Sequence, residues 1–465
     1  MKIKYLALAL LCAACTSQKP REIPVWDFTS DDPSAESPSE SPSDSPSEEP
    51  SKDEPVPEKE YELTDLLVID KVTATDCSIV VEYSFPKASK VKGCKWGLGW
   101  NAGGEDIIQW GPAMDSDGKV FQVISDALLD FGKTYSIRAF VDKEGKTLWT
   151  EPSQAAMKDA PAALELEWNK LSRSVLPDGI ELYETTSKVS ERNFHAWYAL
   201  ADLGKVDLRV NVPSEAITID DQSAAQDDCM VMINGGYFYN GRHTGLAVTA
   251  GKENGAIPSV RGSLRSGDEE FNIMYNVTRG IFGVDAQGRP AVYWAGTGNS
   301  FNFYFDRPLP SVRGESKYGA ISVSNPAAPV DWKPEYALSA GPVLLKDGKI
   351  PFNFEETDKG TEYYLNNFEI MPYDIFGPGS VCDRTAVGYR EDGKVVLFIC
   401  DGRITASPGL NLVELARVMK GLGCKDAVNF DGGGSTGMMV GTEHIGDQTA
   451  EKSRKVVSTI GLYKR

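Results

Sequence analysis

Asn429-Phe-Asp-Gly-Gly-Gly-Ser435 is the stretch whose residue types and order best suit chemistry. The apolar run through Ala427, Val428 and Phe430 reads as a short buried strand that delivers Asn429 and Asp431 to three consecutive glycines. Gly432, Gly433 and Gly434 have no Cβ, so they can take positive φ and let a ligand approach the main chain. Successive N–H groups in such a turn can converge on an anion. One or two glycines usually mean a tight turn; three after an aspartate cost more conformational entropy than a turn requires. Cys229-Met-Val-Met-Ile-Asn-Gly-Gly-Tyr-Phe238 repeats the theme, with Asn234 before Gly235 and Gly236.

These residues need a scaffold, and the neighbouring sequence predicts one. Arg384–Arg390 and Lys394–Cys400 flank Glu391-Asp-Gly393, a hairpin signal that places Arg384 roughly opposite Asp401. Asn411 with Glu414 three residues on predicts a capped helix start. Leu412, Leu415, Ala416, Met419 and Leu422 then recur at helical spacing, and Gly421 or Gly423 ends the element. Strand, helix and strand in succession form a crossover that makes the two strands parallel. Asp401 and Asp431 then leave carboxyl ends of the sheet, where open α/β sheets place ligands, on strands about 4.8 Å apart. Arg384 and the two carboxylates are expected to share one small site.

Gly433-Gly-Ser-Thr-Gly437 matches the nucleophile-elbow pattern G-x-S-x-G, which raises a serine hydrolase using Ser435. Only His444 follows it, and too little chain remains for the usual acid and histidine partners. His195 and His243 are the other histidines, and no histidine-rich zinc pattern exists. Carboxylates near Asp431 could hold a hard cation such as calcium, but no motif indicates a metal and the chemistry requires no cofactor. Paired carboxylates beside an anion-friendly turn and an arginine suit glycosyl chemistry on a phosphorylated substrate. A phosphate ester leaves as a stable anion, so the site must supply positive potential and a carboxylate on the sugar side.

Several blocks resemble, in order, the phosphodiester glycosidase family. They are Asn234-Gly-Gly-Tyr-Phe238, Gly245-Leu-Ala-Val248, Ala340-Gly-Pro-Val-Leu-Leu-Lys-Asp-Gly-Lys349, Arg384-Thr-Ala-Val-Gly388, Asp401-Gly402, Gly409-Leu-Asn-Leu412 and Asn429-Phe-Asp-Gly-Gly-Gly-Ser435. The resemblance covers about Val206 to Leu462. It implies hydrolysis of a sugar-1-phosphodiester by a site of Asn234, Arg384, Asp401, Asn429, Asp431 and the three glycines, with Gly235, Gly236 and Ser435 completing the substrate-binding set. Within it, our assignment has Arg384 and the glycine N–H groups holding phosphate, Asp431 facing the anomeric carbon as nucleophile or base, and Asp401 assisting or orienting Arg384. Asn234 and Asn429 bind sugar hydroxyls or fix the aspartates. Phe430 and Cys400 stand where relatives often carry Leu and Ala, and Gly437 just after the motif is a further departure; these could reshape a pocket wall without removing a catalytic group.

The rest of the chain sets the address and the spacing. Met1 to Lys4 is basic, Tyr5 to Leu11 is apolar but too short to span a bilayer, and Cys12-Ala-Ala-Cys15 resembles a bacterial lipobox with lipid on Cys15. The expectation is a lipoprotein signal peptide over 1–15 and an envelope lipoprotein, on the outer membrane, with no transmembrane helix in the mature chain. Residues 16–60 are Ser, Pro, Glu and Asp with too few apolar residues to fold, a tether. Asp27–Glu60 carries twelve acidic and two basic residues, −10 of the chain's net −19, so the remainder is only mildly acidic and lacks the basic stripe of a nucleic-acid partner. Residues 61–158 alternate as short strands, among them Ser78–Ser84, Cys94–Trp100 and Thr134–Val141, and look like a fibronectin type III or immunoglobulin-like sandwich serving as spacer or glycan-binding module. Cys77 and Cys94 could bridge within it. Residues 162–465 are then an α+β, mixed-sheet catalytic domain, so the expected fold is multidomain: an all-β sandwich followed by that α+β domain. A non-catalytic glycan-binding lipoprotein using Tyr237, Phe238 and Tyr239 remains the competing reading.

Overall fold

Val395-Val-Leu-Phe-Ile-Cys400 is apolar at every position, which suits a strand covered on both faces. In the computed structural model it is covered on both, and period-two alternation decides which side chain goes where. Val396, Phe398 and Cys400 join one core with Leu412, Leu415, Ala416, Val418 and Met419 of the helix Leu412–Gly421. Val395, Leu397 and Ile399 join another with Val231, Ile233, Phe282, Trp294, Ile460 and Leu462 from neighbouring sheets. The structure describes residues 65–74, 78–111, 114, 116–125, 129–258, 260–266, 269–276, 278–298, 301–307, 312–313, 329–351, 380–446 and 454–465. The Cys15 leader, the tether 16–60 and Cys77 lie outside them.

The sheet that carries the site has seven strands. Their order is Val343–Leu345, Cys424–Asn429, Arg384–Arg390, Val395–Cys400, Arg192–Ala201, Ile180–Val189 and Asn169–Leu171. The hairpin forms one residue out of the expected register, with Arg384 paired to Cys400 rather than to Asp401. The crossover strand Cys424–Asn429 runs parallel to Val395–Cys400, yet Arg384–Arg390 lies between them and is antiparallel to both. The hairpin already occupies one edge of Val395–Cys400, and Arg192–Ala201 takes the other, so the returning strand docks on the far side of the hairpin. Asp401 and Asp431 are therefore two strand spacings apart, about 10 Å along the sheet rather than one spacing. The mixed sheet expected from the crossover is corrected accordingly: every hydrogen-bonded strand pair among the described residues is antiparallel. The fold is β-rich, and the described residues contain two α-helices, Ile219–Ala224 and Leu412–Gly421.

The helix behind the sheet begins as its sequence requires. Asn411 Oδ1 accepts from Glu414 N at 2.8 Å and Glu414 Oε2 accepts from Asn411 N at 3.0 Å, a complete capping box. Glu414 also takes Arg192 Nη2 on both oxygens, at 2.8 and 2.6 Å, and the Ser190 hydroxyl at 2.5 Å. Burial raises its pKa, but Arg192, Ser190 and the Asn411 N–H outweigh burial, and the net shift is downward. Glu414→Ala strands the arginine and removes the Glu414 half of the capping box, so a loss of about 3 kcal/mol is expected in chemical denaturation at neutral pH.

A second sheet meets the first at the site. It orders Val206–Asn211, Thr459–Lys464, Cys229–Asn234, Met438–Val440 and Glu443–Ile445, so the last strand of the chain lies beside Asn234. Toward the N-terminus, a three-stranded sheet (Val68–Ala74, Ser78–Ser84, Lys119–Ser125) and a five-stranded one share a core containing Tyr83, Leu98, Trp100 and Ile137. Lys349 Nζ ties that region to the rest by donating to Asp130 at 2.7 Å.

Candidate active site

Asp431 leaves the Cys424–Asn429 strand with its main chain held at both ends. Its N–H donates to Gly235 O at 3.1 Å, and its carbonyl accepts from Asn234 Nδ2 at 2.6 Å. Asn234 Oδ1 accepts in turn from Thr385 Oγ1 at 2.7 Å and from Gly437 N at 3.3 Å. One fully buried amide thus joins the Asp431 turn, the Arg384 strand and the chain after the glycines. Asn234 fixes the aspartate and does not face a sugar. Asn429 has the same character: its Nδ2 donates to Tyr237 Oη at 3.0 Å and Gly341 O at 2.9 Å.

The paired glycines after Asn234 are dictated by chain packing. A Cβ on Gly235 would lie 2.5 Å from Ser458 Oγ, and one on Gly236 would lie 2.5 Å from Ser339 O. Their N–H groups are taken by Ser458 O and Ser458 Oγ, at 2.9 and 3.1 Å. At the triple glycine, Gly433 has φ +60° and donates to Asp383 O at 3.1 Å, so its N–H is committed. Gly432 cannot carry a side chain either, since a Cβ would lie 2.7 Å from Asp383 O. Among the described residues, the N–H groups of Gly432 and Gly434 make no hydrogen bond.

Arg384 stands at the start of its strand, paired to Cys400, and the next residue, Thr385, accepts from the Phe430 N–H at 2.8 Å. Arg384 is 2 % exposed. Its Nε donates to Leu410 O at 3.0 Å and its Nη2 to Ser380 O at 2.6 Å, so the fork braces two chain segments beneath the rim. That engagement differs from the expected grip on phosphate. Asp401 is 5 % exposed and Asp431 9 %, and the strands that lead into them lie on either side of the Arg384 strand.

Sequence reasoning missed several neighbours. His195 Nδ1 lies 3.5 Å from Asp401 Oδ2, its Nε2 lies 2.8 Å from Glu184 Oε1, and its ring packs 3.9 Å from that of Trp197. Asp383 is buried and accepts from Arg403 Nε at 2.9 Å. No local motif marks these residues, because His195 reaches Asp401 only through the pairing of Arg192–Ala201 with Val395–Cys400. Burial pushes the Cys400 thiol well up, which leaves it a small core side chain with no nucleophilic use. Ser435 Oγ is buried and makes no hydrogen bond, while His444 Nδ1 lies 3.1 Å from Asp220 Oδ2. The hydroxyl has no hydrogen-bonded base among the described residues, which counts against the nucleophile elbow. No cluster of three metal-binding side chains occurs among the described residues. A cavity of about 500 Å³ lined by Arg173, Cys229 and Glu443 opens at the far end of the Cys229–Asn234 strand, and none of the site residues lines it.

His243 packs beside this framework, with its Cε1 3.0 Å from the position of a Cβ on Gly236. Burial pushes its imidazole down to about 4, and neither ring nitrogen makes a hydrogen bond that would hold a proton there. A folded value below the ordinary one means the unfolded chain takes up the proton first. Stability is thus complete above about pH 6.5 and falls as pH drops toward 4. Denaturation at pH 7 and pH 5 is expected to differ by about 2 kcal/mol from this group, a share that His243→Leu removes.

Residues 227–463 match the family described as phosphodiester glycosidase. The chain is 35 % identical over 88 residues, 17 % of its own length and 17 % of the relative's, to N-acetylglucosamine-1-phosphodiester alpha-N-acetylglucosaminidase of Mus musculus. It is 34 % identical over 79 residues, 17 % of its length and 12 % of the relative's, to the SPbeta prophage-derived uncharacterized protein YomE of Bacillus subtilis strain 168. The matches span less than a fifth of either relative. Among solved structures, the zebrafish N-acetylglucosamine-1-phosphodiester alpha-N-acetylglucosaminidase catalytic domain, auto-inhibited by pro-peptide, aligns with TM-score 0.40 and 17 % identity over 65 % of this chain and 89 % of that one.

Proposed function

The chain belongs to the phosphodiester glycosidase family, and on that premise we propose that it hydrolyses the glycosyl C–O bond of a sugar-1-phosphodiester. The observation that carries the proposal is the Asp431 clamp: a carboxylate held through both main-chain groups at the edge of a glycine turn. In the reaction the C1–O pair leaves with the phosphate monoester, water oxygen bonds C1, and the water proton passes to a carboxylate. Asp431 acts on the sugar side as nucleophile or base. Asp401, across the Arg384 strand, is the second carboxylate, steadied by His195. Arg384, Asn234 and Asn429 are positioning residues. Tyr239, 59 % exposed, offers a ring face for the sugar.

The protein is proposed to work outside the cytoplasm, anchored through Cys15 and held off the membrane by the 16–60 tether. The N-terminal two-sheet region is read as a fibronectin type III or immunoglobulin-like spacer. The test is a screen of sugar-1-phosphodiesters for release of reducing sugar. Product from at least one glycone is expected; no product from any, with saturable binding to the same compounds, replaces the enzyme with a glycan-binding lipoprotein.

A further inference from the structure

We propose that Arg454 supplies the guanidinium that grips the phosphate at the triple-glycine turn. The proposal rests on the phosphodiester reading above and assigns a residue to its anionic half. A Cβ on Gly434 would lie 3.2 Å from Arg454 Cζ, 3.3 Å from Nε and 3.4 Å from Nη2. The carbon is the nearest of the three, so the guanidinium rests face-on against the glycine and its N–H edges point away from it. A side chain at 434 would have to displace it.

Two contrasts make this arginine the phosphate ligand. Arg384 is buried, and its Nε and Nη2 are spent on carbonyls, whereas Arg454 is exposed and makes no ion pair or hydrogen bond among the described residues. A buried arginine with its donors engaged holds chain segments together; an exposed one beside a turn can offer its planar fork to two phosphate oxygens. The N–H groups of Gly432 and Gly434, which make no hydrogen bond among the described residues, lie on the same turn. Arg454 is also well placed by the chain: Val456 exchanges hydrogen bonds with Ile217, and Ser458 holds both Gly235 and Gly236. The segment that brings the charge is therefore pinned two residues later to the framework that positions Asp431.

The test titrates inorganic phosphate into the folded full chain at constant ionic strength, by calorimetry, for wild type, R454A and R454K. Phosphate binding is expected to weaken at least about tenfold in R454A and less in R454K, which keeps the charge but loses the fork. Denaturation midpoints without phosphate should coincide, because the side chain is exposed. With a turned-over phosphodiester, R454A should raise KM. Phosphate binding by R454A equal to wild type, or no phosphate binding by wild type, overturns the assignment. Arg454-dependent phosphate binding with no hydrolysis of any phosphodiester upholds it and sinks the glycosidase reading instead.

Discussion

Asp431→Asn should lower kcat/KM on a sugar-1-phosphodiester by about 10³-fold while the protein stays folded. The substitution keeps size and shape, and the clamp that positions residue 431 acts through its main chain, from Gly235 O and Asn234 Nδ2. Only the negative charge and basicity of the side chain are lost. A neutral amide neither attacks C1 nor accepts the proton of water, and it cannot stabilise positive charge developing on the sugar. Reducing-sugar release measured beside denaturant unfolding separates the two effects. More than a tenth of wild-type activity in a folded Asp431→Asn protein would move the essential role to Asp401. Asp401→Asn distinguishes the partners, since a carboxylate that only assists costs less than one that reacts.

The second large effect is expected at a residue that never meets substrate. Asn234→Ala removes the donor to Asp431 O and the acceptor of both Thr385 Oγ1 and Gly437 N, all in a fully buried position. Orphaning buried polar groups costs about 1–3 kcal/mol each, so a total near 4 kcal/mol is expected. Activity should fall even where the variant is folded, because the Asp431 turn loses its tie to the Arg384 strand. Asn234→Asp makes the sharper comparison: it can still accept from Thr385 and Gly437 but cannot donate to Asp431 O, and it buries a charge. Urea denaturation of both variants, with kcat measured well below the midpoint, checks this. A stability change within about 0.5 kcal/mol for Asn234→Ala would show that the amide does not hold the turn.

The resemblance to the phosphodiester glycosidase family was visible in ordered blocks of residues, and the match to residues 227–463 bears it out. Local signals also read true. The capping box at Asn411 and Glu414, the apolar helix stripe behind it, and the Glu391-Asp-Gly393 hairpin depend on residues a few positions apart. Their physics is complete within one turn of chain. Asn234 and Asn429 end apolar strands as polar groups, and their partners are backbone groups, Thr385 and Tyr237.

Local patterning is enough to mark which segments are strands and helix and which faces are apolar, whereas the need for glycine at 235, 236 and 432 comes from packing against Ser458, Ser339 and Asp383. The strand order, and with it the strand that separates Asp401 from Asp431, came from packing, because a crossover specifies that two strands are parallel and not what lies between them. Packing also decided which donors are spent. Arg384 and Arg454 are the same residue type in sequence, yet one lies under the sheet rim bonded to Leu410 O and Ser380 O and the other lies open against Gly434. Hydrogen bonds saturate: once a buried carbonyl takes a guanidinium N–H, that donor is unavailable to a ligand, and only the packed chain reveals which carbonyls arrive.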